Sequence, residues 1–105
     1  MKKIINGVRY DSDKATLVGE YATNLGRNDF RDWEAALYVS PKSRRFFLVG
    51  EGGPMTRFAK PVGSNGMTGS EDLIPMDRDE ALAWAEQFLD TEAIEQHFAD
   101  HVVDA

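Results

Sequence analysis

Between residues 33 and 39 the chain alternates. Trp33, Ala35, Leu37 and Val39 fall on one side of an extended backbone, and Glu34, Ala36 and Tyr38 on the other. A period of two marks a half-buried strand, which predicts a strand over 30–39. Helix is the rival reading, because "DWEAAL" contains good helix formers. "SPKS" supplies turn residues, and "RRFFLVGE" predicts a return strand over 45–51. So short a link joins antiparallel strands. Nearer the start, Asn6-Gly7 stands between apolar and β-branched residues in "KIINGVRY", the signal of a two-residue hairpin turn with positive φ. Asp11 or Ser12 can then cap a short helix that Gly19 closes, before "EYAT" resumes an extended course.

The pattern changes after residue 60. "KPVGSNGMTGS" reads as a loop. "EDLIPM" is a short extended piece that Pro75 confines to a sheet edge or a strand end. From Asp77 the spacing becomes helical: Ala81, Leu82, Ala85, Phe88 and Leu89 share a face with Trp84 beside them, opposite Asp79, Ala83, Glu86 and Asp90. Asp77 and Glu80 have the spacing of a capping box. A second helix starts with Thr91 as cap and turns Ile94 and Phe98 inward. The expected fold is α+β. An antiparallel sheet of four to five strands combines the N-terminal hairpin with the 30–39/45–51 hairpin. A short N-terminal helix and two C-terminal helices complete it, the latter packed on one side. Trp84, Phe88 and Leu89 are expected in the core, at about 1.5–3 kcal/mol each when fully buried.

Length and composition set bounds on this picture. The 105 residues suit a single domain over 1–105. There is no cysteine, which excludes disulfides and thiol chemistry, and no apolar run near the roughly 20 residues that span a bilayer. A cytoplasmic protein with no membrane partner is the expectation.

Charge changes the picture more. The net charge is −6, but 11 of the 12 Lys/Arg lie within residues 1–60 and 11 of the 18 Asp/Glu within 61–105. An acidic excess so concentrated attracts basic surfaces and repels phosphate. Direct nucleic-acid binding is therefore disfavoured, although Lys2, Lys3, Lys42, Arg44 and Arg45 gather around two turns beside aromatic residues. Five carboxylates on the helical face, Asp79, Glu86, Asp90, Glu92 and Glu95, are the expected partner-binding residues, and the partner is a protein with a basic surface.

The other chemical candidates are weaker. "VGEGGPMTRFA" crowds Gly50, Gly52 and Gly53 before Thr56 and Arg57. It lacks the Gly-Lys-Ser/Thr ending and following helix of a phosphate loop, Pro54 removes a donor, and Glu51 brings the wrong charge. Its glycines serve either positive φ or close approach of a neighbour. Glu51, Thr56 and Arg57 stand as the alternative set for a small ligand or for catalysis. His97 and His101 have the i, i+4 spacing of a chelating pair, but Phe98 stands where the zinc-protease pattern needs glutamate. No metal, no cofactor and no catalytic residue is assigned, and the chain is read as non-enzymatic.

Three stretches, "KIINGVRYDSDKATLVGEY", "WEAALYVSPKSRRFFLVGEGGPMTRFA" and "EALAWAEQFLDTEAIEQHFAD", resemble a family of small, mostly uncharacterised bacterial proteins found on chromosomes, plasmids and phages. Its members look like "INGxxYDT", then "LYxxxxGxxFLxGEGG", then an acidic helical tail. Ser12 stands where that pattern has Thr, and Arg44 where it has Gly, which suggests a different turn at 44. The resemblance names no catalytic residue. It implies a protein of mobile elements, a setting in which proteins of this size often block defence systems, CRISPR effectors included. The expected function is a protein-binding module, anti-CRISPR-like, inhibiting a nucleic-acid-handling or defence complex.

Overall fold

The computed structural model describes residues 1–26, 28–63 and 66–105. Among the described residues, eight strands and two α-helices follow one another: β1 (Lys2–Ile5), β2 (Val8–Asp11), β3 (Thr16–Ala22), β4 (Trp33–Val39), β5 (Phe46–Gly52), β6 (Lys60–Val62), β7 (Gly66–Thr68), β8 (Ser70–Met76), α1 (Arg78–Phe88) and α2 (Thr91–Phe98). The central sheet has four antiparallel strands in the order β3-β4-β5-β8. Two small ribbons, β1-β2 and β6-β7, stand apart from it.

The alternation along β4 and β5 builds two different faces. Ala35, Leu37 and Val39 of β4 and Phe46 and Leu48 of β5 are buried on one side. They share a core with Val18, Phe58, Met76, Ala81, Trp84, Ala85 and Phe98. Both helices pack here, and the Phe46 and Phe98 rings stack at 5.0 Å with planes 13° apart. Trp84 is 5% exposed, whereas Phe88 and Leu89 are only partly buried at the margin of the core. The helix termini account for their orphan amides. Asp77 accepts from the Glu80 N–H at 2.8 Å, and Glu80 accepts from the Asp77 N–H at 3.1 Å. This reciprocal pair fixes the start of α1. For α2 the cap is Asp90, not the expected Thr91: its Oδ1 accepts from the Ala93 N–H at 2.9 Å.

On the opposite face, Phe47 and Leu73 are buried beneath Tyr10 of the N-terminal hairpin. The Tyr10 and Phe47 rings meet edge to face at 5.5 Å, Tyr38 stacks on Phe47, and Lys3 reaches Asp72 of β8 at 2.8 Å. The expected sheet is thus corrected. The N-terminal hairpin is a separate two-stranded sheet laid across part of the central one and adds no strand to it. Its Asn6-Gly7 turn has the positive φ angles that the dipeptide predicts, 52° and 79°. Local sequence fixes such a turn, but it does not say where the hairpin packs.

The expected N-terminal helix is corrected as well. Asp11 caps a single 3-10 turn over Ser12–Lys14, and the chain is extended again by Thr16. Thr16 and Val18 are β-branched and favour strand. Gly19 closes no helix; it lies inside β3 beside a register shift, where Leu89 packs so tightly that a Cβ would come within 2.7 Å of its side chain. Within the expected 60–70 loop, β6 and β7 pair as a ribbon. Pro75 does lie on an edge strand, β8, opposite Phe47.

Candidate functional site

The helix acids fall into two groups once the caps are known. Asp77 and Glu80 are engaged in the capping box. Asp79 and Glu86 remain exposed on α1, seven residues apart and so on one side of the helix after two turns. On α2, Glu92 and Glu95 are exposed at i, i+3 spacing. Asp90 is exposed too, but its carboxylate also caps α2. Among the described residues the ion pairs are Lys3–Asp72 and Arg31–Asp29, and neither involves these five acids.

Of the alternative set, Thr56 and Arg57 line one cleft, whereas Glu51 lies on the other face of the sheet. Thr56 turns its hydroxyl inward to the loop: Oγ1 donates to the Gly53 carbonyl at 2.8 Å and accepts from the Phe58 N–H at 3.2 Å. Arg57, exposed beside it, lines a cleft against α1. Glu51 alternates with Gly50 and Gly52 along β5 and belongs to the other face of the sheet. The glycine run is explained by close approach. Neither Gly50, Gly52 nor Gly53 has a positive φ. A Cβ on Gly50 would lie 2.5 Å from the Phe58 ring and 2.6 Å from the Glu34 carbonyl oxygen. A Cβ on Gly53 would lie 2.6 Å from the Phe30 carbonyl oxygen. No helix follows to present its N-terminus to a phosphate; residues 54–58 form turns.

The histidines also separate. α2 stops at Phe98, and a 3-10 turn over Ala99–His101 carries His101 off the helix. There its Nε2 lies 2.8 Å from Nη1 of Arg78. Arginine only donates, so in this contact the ring nitrogen is the acceptor. His97 is half-buried, and burial together with the Arg44 charge pushes its pKa below the ordinary imidazole value. Among the described residues no group of three or more His, Asp or Glu side chains is placed to hold a metal. Of the basic residues near the turns, Lys3 is bound to Asp72. Burial raises the Asp72 pKa, but the Lys3 hydrogen bond, the Leu73 N–H and the charges of Lys3 and Lys60 outweigh it and hold the carboxyl below its usual value.

One arrangement emerges only from the strand register. Glu34 stands opposite Glu51, and Glu51 opposite Glu71, so three glutamates form a row across β4, β5 and β8. Glu20 of β3 lies nearby, and all four are exposed around a shallow trough of about 500 Å3 that Ala36 and Val49 help to line. From the predicted hairpin, Glu34 and Glu51 were legible only as lying on two paired strands; their register was not. Glu71 was not legible beside them, because nothing local places β8 beside β5. Compared with known protein families, curated proteins and solved structures, the chain matches none.

Proposed function

We propose that the protein is a non-enzymatic binding module that sets its acidic helical surface against a basic surface of a protein partner. In keeping with the family resemblance, the partner we propose is a nucleic-acid-handling or defence complex, inhibited when carboxylates occupy a channel that normally receives phosphates. The supporting observation is that Asp79, Glu86, Glu92 and Glu95 are exposed on two consecutive helices anchored in the core by Trp84 and Phe98. Carboxylates on a firm scaffold lose little freedom on docking, and their shared sign steers a cationic partner toward them. No helix of the described residues is long and apolar enough to cross a membrane.

The test is capture of partners from a bacterial lysate by the wild-type chain and by an Asp79→Lys/Glu86→Lys/Glu92→Lys variant. The reading expects a partner held by the wild type alone, with affinity falling steeply between about 50 and 300 mM salt as the Debye length shrinks. Equal capture by the charge-reversed variant would end it.

A further inference from the structure

The cleft beside Arg57 lies between the turns at 54–57 and helix α1 and encloses about 440 Å3, a volume typical of small-ligand sites. Trp33, Trp84 and Phe88 form an aromatic wall. Phe88 meets Trp33 at 4.9 Å with planes 85° apart and Trp84 at 5.2 Å. Met55, 68% exposed, stands at the mouth.

The first of two features of this wall favours an anionic ligand. It is the arginine pair. Arg31 lines the cleft, but Asp29 holds its guanidinium through bonds of 3.3 and 3.2 Å. Arg57 makes no ion pair among the described residues and supplies the unmatched positive charge. The second is Trp84. Its indole Nε1 is the one buried side-chain polar atom without a hydrogen-bond partner among the described residues. A covered donor with no acceptor is costly and is uncommon in folded proteins.

We propose that this cleft binds a planar aromatic ligand bearing a carboxylate or phosphate, with the ring against Phe88 and Trp33 and the anion on Arg57. Stacked or edge-on rings supply part of the affinity, and the charge-assisted bond to a guanidinium supplies direction and selectivity. The reading is independent of the helical surface, since Asp79, Glu92 and Glu95 do not line the cleft.

The chain has two tryptophans, and both line this cleft, so its intrinsic fluorescence reports on this site. Phenyl phosphate and benzoate are titrated as probes, with inorganic phosphate and benzyl alcohol as the anion-only and ring-only arms. A saturable emission change is expected with at least one aromatic anion, and the stronger of the two decides between phosphate and carboxylate. Arg57→Ala should weaken that binding by about tenfold, the scale of one charged hydrogen bond, and Arg57→Lys should restore part of it. Arg57 is exposed, so an unchanged thermal midpoint verifies the fold of both variants. The proposal is overturned by no saturable change up to about 10 mM, a ceiling that already corresponds to very weak binding. It is equally overturned by Arg57→Ala binding as the wild type does, or by either single-feature arm matching the aromatic anions.

Discussion

At Arg44 the chain turns with φ at 59°, the left-handed region that costs an L-residue about 1–2 kcal/mol and glycine almost nothing. The departure from glycine in the resembled pattern therefore does not relieve the turn of its conformational demand. Arg44→Gly is expected to stabilise the fold by about 0.5–1 kcal/mol, the residual gain after glycine's greater unfolded freedom is subtracted, as read by urea denaturation. The same substitution removes a positive charge that acts on His97. An imidazole with a depressed folded pKa takes its proton first in the unfolded chain. His97 is thus neutral in both states above about pH 6.5 and subtracts stability as pH falls from there toward its folded pKa. In Arg44→Gly the NMR titration midpoint of His97 should move up toward 6.5, and the acid-side loss of stability should shrink. A midpoint that stays put would show that burial acts alone. At Gly50 the expectation runs the other way. Gly50→Ala drives a methyl against the Glu34 carbonyl and the buried Phe58 ring and should cost about 1–3 kcal/mol, the range for overpacking. The sequence showed the glycine run but could not choose between positive φ and close approach, because the neighbours that crowd it come from other parts of the chain.

Elements were legible to the extent that their signals are local. The period of two along Trp33–Val39, the Asn6-Gly7 turn and the Asp77/Glu80 box each sit within a few residues, and each forms as a local reading predicts. Asp77→Ala should therefore lower stability by about 1 kcal/mol, measured by thermal or chemical denaturation, because it removes the acceptor for the Glu80 N–H while the helix stays otherwise intact. What failed was assembly. The N-terminal hairpin has the composition of a sheet member, yet it lies across the β5-β8 side of the sheet through Tyr10, Phe47 and Leu73. Ser12–Lys14 has helix-start chemistry, yet three residues later Thr16 and Val18 belong to β3, and pairing with β4 outweighs a cap that has no helix to support. Likewise Thr91 and Asp90 are both competent caps, and only the geometry of the α1–α2 corner selects Asp90.

At the scale of the whole molecule, the acid-rich C-terminal portion does not gather on the helices alone. Glu71 comes from the same acidic stretch as α1 and α2, but β8 carries it to the sheet face that the helices leave uncovered, where it completes the row with Glu51 and Glu34. Linear charge segregation was legible; its division between two layers was not. Net charge steers a cationic partner from a distance wherever it lies, whereas binding strength depends on which carboxylates meet the partner. The two surfaces can therefore be separated at constant net charge. A Glu34→Gln/Glu71→Gln pair removes two of the three charges of that row. A Glu92→Gln/Glu95→Gln pair makes the same change in charge on α2, away from that row. If the helical surface is the docking face, the α2 pair should speed dissociation of the captured partner, and the sheet pair should only slow association slightly. Stopped-flow association and surface-plasmon dissociation rates read the two effects separately. The reverse assignment, with faster dissociation from the sheet pair and none from the α2 pair, would move the docking face from the helices to the open side of the sheet.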